Sequence, residues 1–153
     1  MKNIGVIGGL GPLATVDFFK KIVVNTDARS DQENIPILIY NNPQIPDRTD
    51  AIINNGTDPV PEIIRTANIL EDMGADFLCM PCNTSFYFFD EVIKGINVPL
   101  INMVELTSKY IKQNNYNKVC VLGTKGTILS RIYYDELDKL GVSYLELDDD
   151  TIA

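Results

Sequence analysis

Three cysteines are the side chains of this sequence with the clearest capacity for chemistry. They are Cys79, Cys82 and Cys120, and the chain contains no histidine. A structural zinc site needs four nitrogen or sulfur ligands, so this set does not favour zinc. An odd number of cysteines without an export signal is typical of free thiols in a reducing compartment. The sequence therefore predicts a cytoplasmic protein whose thiols are available for reaction.

Cys82 is the strongest candidate for a reactive thiol because it stands between a predicted strand and a predicted helix. It lies in the segment Met80-Pro81-Cys82-Asn83-Thr84, which Ser85 follows. Proteins of the α/β class place ligands at the carboxyl ends of their strands. A helix N-terminus also stabilises a thiolate, which makes the sulfur a usable base. The alternative is a buried cysteine beside an ordinary N-cap cluster.

Cys79 and Cys82 also form a C-x-x-C pair, which in a βαβ context can be a redox dithiol. Cys79 lies inside an apolar strand and Cys82 at its end, so we expect the two thiols to face apart. Cys120 lies in the apolar segment Val119-Cys120-Val121-Leu122. We predict that Cys79 and Cys120 are inert core residues.

Two glycine-containing turns each follow a predicted strand and precede a predicted helix. They are Gly8-Gly9-Leu10-Gly11-Pro12 and Gly123-Thr124-Lys125-Gly126-Thr127. Glycine lets the backbone approach a ligand, and a helix N-terminus offers N–H groups to an anion. The first turn matches G-x-G-x-x-A from Gly9, but the next strand ends in Tyr40-Asn41 rather than an acidic residue, so a dinucleotide site is weakly supported. A small-ligand contact and a purely structural turn are the other interpretations.

Arg48 lies in Asn41–Pro59, a segment rich in asparagine and proline and longer than most connections in compact domains. Such a loop is usually functional or disordered. In the context Pro46-Asp47-Arg48-Thr49 the guanidinium could hold a carboxylate through two parallel N–H bonds. The alternative for a loop arginine is simple solvation.

The composition indicates a globular protein, since 45% of the 153 residues are apolar and 22% are charged. The net charge of −8 opposes binding to nucleic acid or to anionic membranes. No apolar run approaches the roughly 20 residues needed to span a bilayer. The acidic run Asp148–Asp150 is interpreted as a solvated end rather than a metal site.

Apolar segments of strand length alternate with longer segments of helical period, which predicts an α/β fold with a parallel sheet flanked by helices. The predicted strands are Ile4–Gly8, Pro36–Tyr40, Phe77–Met80, Pro99–Asn102, Lys118–Leu122 and Ser143–Leu147. The predicted helices are Pro12–Thr26, Val60–Met73, Phe86–Ile93, Val104–Gln113 and Ile128–Leu140. A polar break near Gln113–Asn117 predicts an N-terminal domain of residues 1–115, which carries Cys82, and the beginning of a second, similar lobe in residues 116–153.

Together these motifs resemble the cofactor-independent aspartate/glutamate racemases. The matching pieces are Gly8-Gly9-Leu10-Gly11-Pro12, Pro46-Asp47-Arg48-Thr49, Met80-Pro81-Cys82-Asn83-Thr84 and Gly123-Thr124-Lys125-Gly126-Thr127. They occur in the order and spacing of that family and extend over the whole chain. The resemblance is therefore specific at the level of the family.

The resemblance implies a racemase in which two cysteines act on opposite faces of the substrate Cα, without pyridoxal phosphate or a metal. It assigns Cys82 to one of these bases and Arg48 to a substrate carboxylate. The substrate would be a small acidic amino acid, aspartate or glutamate. Further substrate contacts are implied for Leu10, Asn83, Thr84, Thr124 and Thr127.

Two departures from the family pattern qualify this expectation. Phe86 occupies a position where the family often has histidine. The family also has a second cysteine-bearing strand end, which we expect beyond residue 153, so the chain is expected to be about two thirds of a racemase, either truncated or a natural short form. A homodimer is a further possibility. The alternative functions are a non-catalytic module that binds a carboxylate or amino acid and, third, a thiol redox protein.

Overall fold

The structure is a computed structural model that describes residues 1–147, so the acidic run Asp148–Asp150 lies outside the described residues. Three short 3₁₀ helices accompany the strands and α-helices, at Asp31–Glu33, Thr84–Phe88 and Ile93–Gly95. The other elements, in chain order, are β1 (Ile4–Gly8), α1 (Pro12–Asn25), β2 (Ile37–Asn41), α2 (Arg48–Asn54), α3 (Val60–Asp72), β3 (Phe77–Cys79), α4 (Phe89–Val92), α5 (Met103–Gln113), β4 (Lys118–Cys120), α6 (Lys125–Leu129), α7 (Ile132–Leu140) and β5 (Ser143–Leu145).

The chain divides into two compact units that interleave along the sequence. The first consists of Met1–Pro46, Pro59–Cys82 and Asp90–Ile101, and the second of Asp47–Asp58, Asn83–Phe89 and the chain from Asn102 onward. The predicted boundary at residues 115–116 falls inside the second unit, because α5 packs against α7 there. The division into a domain of residues 1–115 and a second lobe from residue 116 stays a prediction.

The first unit is built on a parallel sheet with strand order β2-β1-β3. All five residues of β1 are buried, as expected for a central strand covered on both faces. The predicted strand Pro99–Asn102 makes only a single bridge, between Leu78 and Leu100. The predicted strand does not continue beyond this bridge, because Asn102 is already the N-cap of α5. The Asn102 side chain accepts a hydrogen bond from the Glu105 N–H. The predicted α/β class is confirmed.

Helix α3 packs against β1 and β2 through a face of small and branched residues. Ile63, Ala67 and Leu70 are completely buried on this face. Met73, which the periodicity placed on the same face, is exposed because the helix ends at Asp72. Gly74 follows with a φ of +95°, as predicted for a C′ glycine.

The second unit contains a two-stranded parallel sheet of β4 and β5, with Leu137 and Tyr134 of α7 in its core. The predicted helix Ile128–Leu140 is wrong in one respect, because it is divided into α6 and α7. The division occurs at Arg131, whose φ of +59° is left-handed. Its guanidinium pairs with the Glu146 carboxylate at 2.9 Å, a contact between distant residues that the local pattern does not reveal.

The long segment Asn41–Pro59, interpreted from the sequence as a loop, contains the seven-residue helix α2. Asp47 is its N-cap, and the Asp47 carboxylate accepts a hydrogen bond from the Asp50 N–H at 2.7 Å. Asn55 ends the helix in the left-handed conformation. Both capping signals are present in the sequence, but the helix is too short to show a clear period.

The helices are short. The longest in the described part of the chain, α1, has 14 residues, compared with about 20 needed to cross a bilayer. Within residues 1–147 no helix has the length and apolar content of a membrane span.

The turn after β1 depends on glycine at position 9. Gly9 has a φ of +92°, and a Cβ atom there would lie 2.4 Å from the backbone carbonyl of Asn42. Asn42 cannot move aside easily, because its buried side chain donates to the Glu62 carboxylate at 2.8 Å and to the Thr66 hydroxyl at 3.0 Å. Hydrogen bonds from Arg65 and from Asn42 lower the pKa of Glu62 to about 2, so this anchor stays charged.

Gly9→Ala should destabilise the protein by about 3 kcal/mol, because the substitution combines an unfavourable φ with a backbone clash. The matched control is Gly11→Ala in the same turn, where a Cβ atom meets nothing within 4 Å and the backbone is extended. That control should change the free energy of unfolding by less than about 1 kcal/mol, because the lower entropy of the unfolded chain with alanine is offset by the preference for glycine over alanine at the N-cap of α1. Urea unfolding of both variants measures the difference, and equal stabilities would contradict the account of this turn.

Candidate functional site

Cys82 lies three residues beyond the carboxyl end of β3, in the first unit. Its backbone N–H donates to the carbonyl of Met80 at 2.8 Å, so the chain turns tightly at Pro81. The side chain of Cys82 is half-buried. Its thiol is therefore partly removed from water while remaining accessible.

Cys79 has a different environment within β3. Its side chain is half-buried, and burial raises the pKa of its thiol to about 11. At neutral pH such a thiol is almost entirely protonated and a poor nucleophile or base. This agrees with the prediction that Cys79 is chemically inert.

Cys120 is exposed, so the prediction that it is a core residue is wrong. The cause is the alternation of side chains along β4, a strand of a two-stranded sheet. Val119 is half-buried, whereas Lys118 and Cys120 point to the opposite face, which is exposed in the described structure. The apolar run around Cys120 suggested a strand covered on both faces.

The segment after Cys82 begins as a 3₁₀ helix rather than the predicted α-helix Phe86–Ile93. Its range is Thr84–Phe88, and the short α4 follows it. Four of its five residues are buried, including Phe86, whose ring stacks on that of Phe89 at 5.9 Å. Phe86 and Phe89 are three residues apart, and side chains at i and i+3 lie on the same side of a 3₁₀ helix, so this contact fits the 3₁₀ geometry.

Three threonine hydroxyls of the second unit form a hydrogen-bonded triangle. The Oγ1 atom of Thr84 lies 2.8 Å from those of both Thr124 and Thr127, which are 3.0 Å from each other. Thr84 and Thr127 are buried, whereas Thr124 is exposed and caps α6 by accepting from the Thr127 N–H. The structure thus brings together three residues that the resemblance assigned to substrate. Because a hydroxyl can both donate and accept, the triangle can reorient to donate toward an anion.

Gly126 allows α6 to approach close enough for this triangle to form. A Cβ atom at position 126 would lie 2.8 Å from the Thr49 hydroxyl oxygen and 2.9 Å from the Thr84 methyl carbon. Any other residue here would push α6 away from α2 and from Thr84. The glycine of the second turn is therefore required by close packing.

Arg48 and Leu10, two other residues predicted to contact substrate, lie in different units. Arg48 is the first residue of α2 in the second unit and is half-buried. Leu10 follows β1 in the first unit and is buried to 94%, with 6% of its surface exposed. Of the residues to which the resemblance assigns a role, Arg48 and Thr84 belong to the second unit and Cys82 and Leu10 to the first.

Asn83 is exposed, and its side-chain oxygen accepts a hydrogen bond from the Tyr133 hydroxyl at 2.5 Å. Sequence reasoning missed Tyr133, because it lies 50 residues from Asn83 and inside an ordinary amphipathic helix. Only the packing of the second unit reveals the contact.

The acidic and cysteine side chains of residues 1–147 are dispersed. Among residues 1–147, no group of three or more Cys, Asp or Glu side chains is arranged to hold a metal ion. The polar groups that do converge are the three threonine hydroxyls described above.

A family model described as Asp/Glu/Hydantoin racemase matches residues 7–148 of this sequence. The broad specificity amino-acid racemase RacX of Bacillus subtilis is 33% identical over 149 residues, which are 95% of this chain and 64% of RacX. The chain therefore spans slightly less than two thirds of the length of this relative.

Solved structures show the same similarity. The aspartate racemase of Picrophilus torridus superposes with a TM-score of 0.91 and 36% identity, over 98% of this chain and 64% of that one. An aspartate racemase homologue from Pyrococcus horikoshii gives a TM-score of 0.80 and 26% identity, over 98% of this chain and 66% of the other.

The thiols of Cys120 and Cys79 should react at clearly different rates with iodoacetamide at pH 8. Cys120 should be alkylated readily because it is exposed, and Cys79 at least about tenfold more slowly because burial keeps its thiol protonated. Peptide mass spectrometry of timed samples measures the rates, and unfolding in urea should make the two rates similar. Equal rates in the folded protein would contradict this assignment. A reversible Cys79–Cys82 disulfide under mild oxidation would instead support the redox interpretation.

Proposed function

The chain belongs to the Asp/Glu/hydantoin racemase family. From this premise we propose that it interconverts the enantiomers of a small acidic amino acid, with aspartate as the first candidate substrate. The observation that carries the proposal is the half-buried thiol of Cys82, directly followed in the chain by Asn83 and by Thr84 of the hydroxyl triangle. RacX and the Picrophilus protein are described as an amino-acid racemase and an aspartate racemase.

In this proposal Cys82 exchanges a proton with the Cα atom of the substrate. The base form is the thiolate, which takes the Cα proton and leaves the electron pair on the substrate as a carbanion. Partial burial favours such a transfer, since it reduces the water that competes for the sulfur. Cys82 is preferred over Cys79, whose raised pKa leaves little thiolate near neutral pH.

The carbanion needs support at the adjacent carboxylate, because an enzyme without an electron-sink cofactor must stabilise that charge with its own donors. We assign this role to Asn83, Thr84, Thr124 and Thr127, whose amide and hydroxyl groups can donate hydrogen bonds. Three of them are already held within 3.0 Å of one another. Prior organisation of this kind avoids the cost of ordering the donors during reaction.

An acidic substrate must also find positive charge in a protein with a net charge of −8. Arg48 is assigned to one substrate carboxylate, because a guanidinium can bind both oxygens through parallel hydrogen bonds. Its place at the start of α2, beside the α6 helix that carries Thr127, supports this role. Leu10 is assigned to an apolar contact with the substrate.

Full inversion requires a second acid on the opposite face of Cα. Cys79 is protonated but lies within the ladder of β3, and Cys120 lies on the exposed face of β4. Neither has the Asn-Thr sequence that follows Cys82. We therefore propose that residues 1–153 provide one of the two half-reactions, with a cytoplasmic location and a homodimer as expectations from the sequence alone.

Cys82→Ser should abolish solvent deuterium exchange at the Cα atom of aspartate, with a loss of at least about 100-fold, because a serine hydroxyl is a far weaker acid than a thiol. Proton NMR of aspartate incubated with the protein in D₂O measures the exchange. Cys120→Ser is the matched control and should retain the wild-type rate, since Cys120 is exposed on another strand.

Unchanged exchange in Cys82→Ser would refute the proposed role. If calorimetry detects aspartate binding to the wild-type chain while no exchange occurs, the protein is a binding module and not an enzyme. The two outcomes are distinguishable because binding needs only the donors, whereas exchange needs the thiol.

The 153-residue chain should invert L-aspartate at least about 100-fold more slowly than it exchanges the Cα proton, because one thiol serves one face of the carbon. Circular dichroism of both enantiomers follows inversion, and NMR of the same samples follows exchange. Inversion as fast as exchange would reveal a second base and would show that our assignment of a single half-reaction is wrong.

A further inference from the structure

Tyr133 and Asn83 form a hydrogen bond that neither the racemase resemblance nor the proposed chemistry assigns. Tyr133 lies on α7 and Asn83 immediately before the 3₁₀ helix Thr84–Phe88, both in the second unit. The Tyr133 hydroxyl is 2.5 Å from the Asn83 Oδ1 atom, which makes this a short contact for an O–H donor.

Asn83 occupies an N-cap position but does not perform the usual task of an N-cap asparagine. Its side chain accepts no hydrogen bond from the backbone of the helix that it precedes. Asparagine is favoured at this position because its oxygen normally satisfies one of the free N–H groups. Here that oxygen is committed to Tyr133 instead, which indicates that the amide is held for another purpose.

The direction of the hydrogen bond follows from the two atoms that it joins. An amide oxygen can only accept, so the Tyr133 hydroxyl donates its proton to Asn83 Oδ1. Burial raises the pKa of Tyr133, so that proton is retained at neutral pH.

This arrangement fixes which end of the Asn83 amide is exposed. The two ends of the group differ, since oxygen only accepts and the NH₂ group only donates hydrogen bonds. With Oδ1 engaged by Tyr133, the NH₂ group at the other end of the amide is left to donate elsewhere, and Asn83 as a whole is exposed. An exposed, orientationally fixed NH₂ group is suited to donate to a carboxylate.

We infer that Tyr133 is a positioning residue, which orients the Asn83 amide so that its NH₂ group donates to a carboxylate of the substrate. The identity of that ligand rests on the proposed function, whereas the orientation of the amide does not. Tyr133 acts only through Asn83 and does not touch the substrate.

Tyr133→Phe should weaken aspartate binding by about three- to tenfold, the range expected for loss of one well-placed hydrogen bond. The matched control is Tyr134→Phe on the same helix, since the Tyr134 hydroxyl is buried and has no hydrogen-bond partner among the described residues. That control should bind aspartate like the wild type. Calorimetry measures the affinities, and equal melting temperatures confirm that the compared variants are folded.

A double-mutant cycle separates positioning from a general structural role. In an Asn83→Ala background, Tyr133→Phe should have no further effect on aspartate binding, because the group that it orients is gone. A loss of the same size in both backgrounds would overturn the inference, since Tyr133 would then act independently of Asn83.

The side-chain amide of Asn83 provides a readout that does not depend on the proposed function. Its two N–H signals in a ¹H–¹⁵N spectrum are identified by their absence in Asn83→Ala. Tyr133→Phe should shift them and accelerate their exchange with solvent, whereas Tyr134→Phe should not. If aspartate does not bind the wild type but Tyr133→Phe still shifts the Asn83 amide signals, the proposed ligand is wrong, whereas the orientation of Asn83 by Tyr133 is supported. If the amide signals are unaffected by Tyr133→Phe, the positioning itself is refuted.

Discussion

The close approach of α6 to Thr84 determines what the second unit can offer to a ligand. Three threonine hydroxyls within 3.0 Å of one another require two helical segments and a capping residue to meet with no side chain between them. Gly126 makes this possible, because a Cβ atom there would overlap both Thr49 and Thr84. The hydroxyls satisfy one another in the absence of a ligand, so two of them can be buried without the penalty of an unpaired polar group. A ligand with several acceptor oxygens can then be met by rotating bonds rather than by moving the chain.

In the first unit, the backbone of the sheet determines where the segments after β1 and β3 lie. Parallel strands bring their carboxyl ends to one edge of a sheet, so the turn after β1 and the segment after β3 are placed by the same hydrogen-bond ladder. The turn after β1 is pressed against the backbone of Asn42, and the buried Asn42 side chain is tied to α3 through Glu62 and Thr66. The turn that carries Leu10 is therefore supported by side chains of α3, and Leu10 itself is buried.

The parts of the structure that follow from local physics could be predicted from the sequence. The bounds of β1 are those expected, and Gly74 ends α3 because a left-handed residue is needed there. The parts that depend on distant contacts could not. The predicted helix is divided at Arg131, which is left-handed and pairs with Glu146 fifteen residues away. Cys120 is exposed because β4 belongs to a two-stranded sheet. The same distinction holds for the candidate site. The motifs drew attention to Thr84, Thr124 and Thr127, which the structure brings together, whereas the helical pattern around Tyr133 gives no sign of its hydrogen bond to Asn83.

The three cysteines show why residue type alone does not assign chemistry. Cys79 lies only three residues before Cys82, yet burial within a strand keeps its thiol protonated up to a pH of about 11. Cys120 is exposed and meets water on the open face of β4. Cys82 is half-buried, as Cys79 is, so the two thiols differ in their place in the chain rather than in their class of exposure. Cys79 belongs to the β3 ladder, whereas Cys82 follows the turn at Pro81 beyond the end of that strand. The position of a thiol relative to the end of a strand is therefore what distinguishes the candidate base from its neighbour.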